Sequence, residues 1–144
     1  KQALDGLPVT LVDCPNAAHG MAHSISDGVM SLPNDCTKVM ILPADMPDIS
    51  TDDLCLMIKE TQRAPDHSIL RATNAAGKPG HPVIFPHGCF TDLSRITGDS
   101  GGRSVMAEFK GEIRSVVLPQ DHALTDLDTP QDWAKWREKQ NRTL

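Results

Sequence analysis

Short apolar runs along the chain alternate with segments of helical periodicity. Valine, leucine, isoleucine and methionine dominate residues 9–12 and 39–42, which predicts two strands. Between them, residues 20–30 carry apolar side chains at helical spacing and are predicted to form an amphipathic helix. The second strand shows no alternation of apolar and polar residues, as expected in a parallel sheet that is covered on both faces.

The sequence Ser-Thr-Asp-Asp at residues 50–53 predicts the start of a second helix. A hydroxyl can cap its free N–H groups, and the two acids complement the helix dipole. Leu54, Met57 and Ile58 are predicted to form its buried stripe. Residues 129–132 predict the start of the final helix in a similar way, with threonine as the cap and proline in the tolerated first position.

Three more strands and two further helices complete the predicted elements. The strands are at residues 68–73, 82–85 and 113–118, and the helices are at 87–96 and 102–109. A glycine-rich connector at residues 74–80 joins the first two of these strands. Strands that alternate with helices predict an α/β fold with a mostly parallel sheet. A chain of 144 residues suits a single domain over residues 1–144.

Composition narrows the classes of function. The net charge is −5 and no cluster of lysine and arginine is present, which argues against a nucleic-acid partner. No apolar stretch approaches the roughly 20 residues that a membrane-spanning helix needs. The 4 cysteines are scattered without a C-x-x-C pair, which favours reduced thiols in a cytoplasmic protein.

Three acidic residues stand where strands are predicted to end. Asp45 follows the run at 39–42, and Pro47 restricts the backbone before it, so the acid is not absorbed into the next helix. Asp126 and Asp128 follow the last strand, and ligands of open α/β sheets collect at such strand ends. Two carboxylates there could share one Mg²⁺, which takes few protein ligands together with substrate phosphates. Alternatively, Asp45 is a solvated or capping residue, and the other two acids solvate a turn.

Five short motifs occur in order along the chain. They are CPNAAHGMAHSI at 14–25, LPADMP at 42–47, GKPGHPV at 77–83, GDSGGR at 98–103 and DLDTP at 126–130. They resemble N-P-x-x-x-x-G-M-x-x-S-[LI], L-x-D-[MQ]-P, R-G-H-P-V, G-D-x-G-[AG]-R and D-I-D-T-P of the MobA-like nucleotidyltransferases. The molybdenum-cofactor cytidylyltransferases are the most similar members.

This resemblance implies a Rossmann-like three-layer sandwich of the nucleotide-diphospho-sugar transferase type with a mostly parallel sheet. The implied enzyme transfers a nucleotide from CTP, or GTP, to the phosphate of molybdopterin or the molybdenum cofactor and releases pyrophosphate. Because the phosphate of the acceptor attacks the α-phosphorus, no protein nucleophile is needed. Mg²⁺ is the implied cofactor, and molybdoenzyme maturation proteins are implied partners.

The resemblance also assigns site residues. Asp45 and Asp128 would hold Mg²⁺ and act in catalysis, and Asp45, Gly20 and Ser24 would bind the nucleotide. The residues that would bind the acceptor are Gly80, His81, Pro82, Asp99, Gly101, Gly102 and Arg103.

Alternatives remain for two of these acceptor residues, Arg103 and His81. Gly101 and Gly102 could offer backbone N–H groups to an anion at a helix start. Arg103 either contacts phosphate or is a solvated helix charge, and His81 either touches the acceptor or packs within the protein.

Two features depart from the family pattern. The family begins with a strand and a glycine-rich loop, L-A-A-G-x-S-x-R-M-G, that cradles the triphosphate, and this sequence has no such segment. We therefore expect a domain that is truncated at its N-terminus, lacks one strand and is inactive on its own. Cys14 stands where the family usually has asparagine.

Other functions compete with this interpretation. The acceptor could be another phosphorylated molecule such as a sugar phosphate, or the chain could be a non-catalytic nucleotide- or metallopterin-binding module. Residues 98–102 also match the GDSGG nucleophile motif of trypsin-like serine hydrolases, and His19, Asp45 and Ser100 occur in the order of their triad. The alternation of strands and helices argues against that fold, because those enzymes consist of two antiparallel barrels.

Overall fold

Residues 4–98 and 101–141 are described by a computed structural model. By its internal contacts the chain divides into two units. The first unit comprises Lys1–Cys36 and Gly88–Phe109, and the second comprises Thr37–His87 and Lys110–Leu144. The single domain over residues 1–144 stays a prediction. Among the described residues, every helix is too short or too polar to cross a bilayer.

The first unit is helical in the part of it that is described. Its helices are α1 (Met21–Met30), α3 (Phe90–Leu93) and α4 (Arg103–Glu108). The Ser26 hydroxyl donates to the Ser94 carbonyl at 2.7 Å, which ties α1 to the end of α3. The predicted helix at 87–96 is shorter than expected, because a 3-10 turn at His87–Cys89 precedes the single turn of α3.

The strand predicted at residues 9–12 does not form. These residues are irregular, and Val9 and Leu11 are each 51% exposed. A strand must pair its backbone N–H and C=O groups with a neighbour. The described residues of the first unit contain no strand that could supply one.

The second unit contains a four-stranded sheet, which confirms four of the five predicted strands. The strands are β1 (Lys38–Ile41), β2 (Ile69–Thr73), β3 (Pro79–Pro86) and β4 (Ile113–Val117), in the spatial order β1-β3-β2-β4. β3 is antiparallel to both β1 and β2, whereas β2 and β4 are parallel. The sheet is therefore mixed and not mostly parallel as predicted. The five residues between β2 and β3 can form only a hairpin, since parallel neighbours need a crossover of about a dozen residues.

Helix α2 (Thr51–Arg63) covers one face of this sheet. Its N-terminus has the predicted cap, because Ser50 and Asp53 exchange hydrogen bonds between side chain and backbone. Met57 is fully buried as predicted, but Ile58 is 54% exposed and Leu56 packs on the core in its place. The core consists of Met57, Leu70, Ala72, Ile84, Val116, Leu118 and Ala123.

The predicted final helix is confirmed as α5 (Pro130–Asn141). Thr129 and Asp132 cap it reciprocally: the Thr129 hydroxyl donates to the Asp132 carboxylate at 2.6 Å, and the Asp132 N–H donates to the Thr129 hydroxyl at 3.2 Å. The helix therefore begins two residues after Asp128, with Thr129 as its cap.

Gly80, near the start of β3, is required by a close backbone contact. The His81 N–H donates to the Ala123 carbonyl at 2.9 Å, which draws the two chain segments together. A Cβ atom on Gly80 would overlap the Ala123 carbonyl oxygen and lie 2.7 Å from its carbonyl carbon. Since backbone atoms cannot turn aside as a flexible side chain can, the chain itself would have to move.

We expect Gly80→Ala to lower the free energy of unfolding by at least about 2 kcal/mol, measured by urea denaturation. Gly88→Ala is the matched control, because a Cβ there would meet no atom within 4 Å. Its free energy of unfolding should change by less than about 0.5 kcal/mol. Equal unfolding midpoints for the two variants would contradict the packing role of Gly80.

Candidate metal and nucleotide site

Asp45 lies just beyond the carboxyl end of β1 and is partly buried. Its Oδ1 atom is shielded from solvent and has no hydrogen-bond partner among the described residues. A buried carboxylate oxygen without a donor is costly, and native proteins rarely leave one unsatisfied. A divalent cation would supply the missing positive charge, so this side chain fits a metal ligand.

The segment that carries Asp128 lies against Asp45. The Leu127 N–H, one residue before Asp128, donates to the Asp45 carbonyl at 3.0 Å. Leu127 is buried, whereas Asp128 and Asp126 are exposed. Two predicted ligands, contributed by chain segments that follow different strands, thus belong to neighbouring stretches of backbone.

Strand direction explains why these two loops share one end of the sheet. β1, β2 and β4 all run opposite to β3, so their carboxyl ends lie at the same end of the sheet. Among the described residues, no cluster of three histidine, cysteine, aspartate or glutamate side chains has the geometry of a metal site.

Asp53 and His122 form a buried polar pair that sequence reasoning missed. Asp53 is 3% exposed, and its Oδ2 atom lies 2.8 Å from His122 Nδ1, from the Ser50 N–H and from the Ser50 hydroxyl. Burial opposes ionisation of Asp53, but the Ser50 N–H and the His122 ring outweigh it and hold the pKa of Asp53 below its ordinary value. The partners are 69 residues apart, and nothing in the sequence marks such a pairing.

The predicted acceptor residues of the second unit lie at the start of β3. Pro82 is fully buried, and Gly80 is held by its contact with Ala123. The Gly80 carbonyl also accepts a long hydrogen bond from Arg71 Nε at 3.4 Å. The structure therefore gives Gly80 and Pro82 a packing role, whereas contact with an acceptor stays a prediction for both and for the half-buried His81.

Gly20 and Ser24 belong to the first unit. Gly20 precedes α1 with a φ of 117°, which favours glycine. The Ser24 hydroxyl in α1 donates to the Cys14 sulfur at 3.9 Å. A hydrogen bond to the Asp27 side chain raises the pKa of the thiol of Cys14, the residue in the usual asparagine position.

The other predicted acceptor residues of this unit surround the start of α4. Gly101 has a φ of 54°, and a Cβ there would lie 2.8 Å from the Met21 side chain. Gly102 precedes the helix and Arg103 is its exposed first residue. Asp99 lies outside the described residues.

Residues 1–117 match the family described as the MobA-like NTP transferase domain, and the chain belongs to this family. The resemblance drawn from the five motifs is thereby confirmed. Asp126 and Asp128 lie beyond the matched residues. Membership excludes the trypsin-like alternative, and Ser100 of that motif lies outside the described residues. No curated protein matches the chain.

Three crystal structures with mycobacterial sources share the fold. Rv0371c from Mycobacterium tuberculosis H37Rv is 23% identical, with a TM-score of 0.68 over 81% of this chain and 59% of that one. Its homologue from Mycobacterium sp. strain JC1 is 20% identical, with a TM-score of 0.67 over 84% and 59%.

A complex of Rv0371C with manganese is 23% identical, with a TM-score of 0.67 over 80% of this chain and 59% of that one. The predicted α/β fold of the nucleotide-diphospho-sugar transferase type is confirmed, and the chain spans 59% of the length of each neighbour.

The Asp53 interactions predict acid sensitivity of the fold. Because the pKa of Asp53 is lowered on folding, its contribution to stability is complete above about pH 4 and is lost as the pH falls through the lowered value. We expect Asp53→Asn to lower the free energy of unfolding by about 1–3 kcal/mol at pH 7. Urea denaturation should show a smaller difference from the wild type at pH 3.

Asp52→Asn is the control, since Asp52 is an exposed acid in the same helical turn. It should change the free energy of unfolding by no more than about 1 kcal/mol. A difference between Asp53→Asn and the wild type that stayed constant from pH 7 to pH 3 would argue against the assigned ionisation.

Proposed function

We propose that the protein is a Mg²⁺-dependent nucleotidyltransferase that uses CTP, or GTP, and the phosphate of molybdopterin or the molybdenum cofactor, and releases pyrophosphate. Nucleotidyl transfer in general follows from the family. The choice of substrates rests on the sequence motifs. The observation that carries the metal assignment is the shielded Oδ1 of Asp45, which has no hydrogen-bond partner in the described part of the chain and lies beside the segment of Asp128.

Asp45 and Asp128 would hold the ion. When bound, Mg²⁺ would neutralise charge on the phosphates of the nucleotide, which is the main requirement of phosphoryl-type transfer. The two carboxylates would hold the ion in place. The acceptor phosphate would attack the α-phosphorus in line, and pyrophosphate would leave. Mg²⁺ typically takes one or two carboxylates together with substrate phosphates, and two acids meet this requirement.

The neighbour solved with manganese supports a divalent cation for this site. Mn²⁺ and Mg²⁺ both prefer carboxylate and phosphate oxygens. We include molybdoenzyme maturation proteins as partners in the proposal, because they follow from the molybdopterin acceptor. A cytoplasmic location is included because the scattered cysteines favour reduced thiols.

We expect Asp45→Asn to weaken Mn²⁺ binding at least about tenfold, since the substitution removes one ligand charge, as checked by electron paramagnetic resonance of the free ion. Its free energy of unfolding should stay equal or rise, because Oδ1 gives up no hydrogen bond. Asp128→Asn should weaken Mn²⁺ binding as well. Asp126→Asn is the matched control from the same loop, and its affinity should remain within about twofold of the wild type.

Nucleotide binding would be measured by calorimetry with CTP and GTP. Turnover would be measured as pyrophosphate release with molybdopterin as the acceptor. Wild-type Mn²⁺ affinity and pyrophosphate release in Asp45→Asn would refute the metal assignment. Release with a sugar phosphate but not with molybdopterin would identify the alternative acceptor. Nucleotide binding without release would favour a non-catalytic module, whereas neither binding nor release would fit the expected loss of the glycine-rich loop.

A further inference from the structure

We infer that helix α5 positions the two loops that carry Asp45 and Asp128, and that it does so through the indole N–H groups of Trp133 and Trp136. Both tryptophans are half-buried on α5, which begins two residues after Asp128. Neither is assigned a role by the sequence motifs. The inference rests on the proposed metal site, and it makes both tryptophans positioning residues.

Trp133 holds the backbone directly before Asp128. Its Nε1 donates to the Leu127 carbonyl at 3.1 Å, while the Leu127 N–H donates to the Asp45 carbonyl at 3.0 Å. Leu127 is thus bonded through its carbonyl to the helix and through its N–H to the other loop. Because its carbonyl belongs to the peptide group that leads into Asp128, the indole bond fixes the backbone of that acid.

Trp136 holds the loop of Asp45 independently. Its Nε1 donates to Asp48 Oδ1 at 2.7 Å, a short bond strengthened by the carboxylate charge. Asp48 lies three residues after Asp45, and Pro47 between them limits the backbone freedom of that stretch. Gln140, one turn further along α5, approaches the same Asp48 oxygen at 3.5 Å.

The two indoles are fixed relative to each other. They stand three positions apart on one side of the helix, and their rings meet edge to face at 6.1 Å with an angle of 72° between planes. The reciprocal cap of Thr129 and Asp132 fixes where the helix begins. One rigid element therefore bonds to both loops, so it can set the distance between their carboxylates.

This spacing matters because Mg²⁺ requires nearly ideal octahedral geometry with ligand distances near 2.1 Å. Residues around a metal site hold its ligands in the geometry that the ion requires. Substituting such residues weakens metal binding about 10- to 100-fold. The two indole N–H groups would hold the loops in this way, whereas the carboxylates of Asp45 and Asp128 would contact the ion.

The test compares Trp133→Phe and Trp136→Phe with the wild-type chain, since phenylalanine keeps an aromatic ring and removes the N–H donor. In Trp133→Phe, hydrogen exchange of the Leu127 amide, measured by NMR without metal, should be about tenfold faster, equivalent to about 1.4 kcal/mol. In both variants Mn²⁺ affinity should fall about 10- to 100-fold by electron paramagnetic resonance.

Three controls separate positioning from general destabilisation. Asp48→Asn keeps an oxygen acceptor for Trp136 and should retain Mn²⁺ affinity within about twofold, whereas Asp48→Ala should resemble Trp136→Phe. Glu138→Gln changes an exposed residue of α5 and should have no effect.

Normal Mn²⁺ affinity in both phenylalanine variants, or unchanged Leu127 exchange in Trp133→Phe, would overturn the inference. Equal losses in Asp48→Asn and Asp48→Ala would overturn it as well, since the charge of Asp48 and not its bond to Trp136 would then matter. If wild-type protein binds no Mn²⁺, or binds it equally well as Asp45→Asn, the proposed metal site fails. The indole bonds would then be structural only.

Discussion

The hydrogen bond from the Leu127 N–H to the Asp45 carbonyl is the interaction on which the candidate site depends. β1 and β4 lie at opposite edges of the four-stranded sheet, about 14 Å apart at ordinary strand spacing. Acids that follow these strands can approach each other only if the chain crosses the intervening strand ends after β4. The 3.0 Å bond to Asp45 shows that the chain completes this crossing.

The crossing segment, residues 118–127, bonds to one neighbour after another along its course. The Leu118 N–H donates to the last residue of β2, Ala123 accepts from the start of β3, and His122 contacts Asp53 at the start of α2. Gly80 permits the close approach to Ala123. A segment with so many separate anchors is held in place without regular secondary structure, which explains how an irregular stretch can present Asp128 next to a rigid sheet.

Elements governed by neighbouring residues were predictable from the sequence. The helix starts at Ser50 and Thr129 depend on contacts three residues apart, and both form as expected. The prediction of a mostly parallel sheet was wrong for β3, because an apolar run does not indicate in which direction a strand points. The prediction of a strand at residues 9–12 was wrong because a strand forms only when a neighbouring strand pairs with its backbone. Contacts such as Trp136 with Asp48 join residues 88 positions apart, and no local pattern encodes them.

The tryptophans on α5 also determine the optical properties of the protein. The sequence contains two tryptophans and no tyrosine, and both indoles lie on that helix. Nearly all near-ultraviolet absorption and emission of the protein therefore originates from the helix that bonds to the loops of Asp45 and Asp128. The protein carries its own optical probe at the candidate site, and ligand titrations can be followed by intrinsic fluorescence without any label.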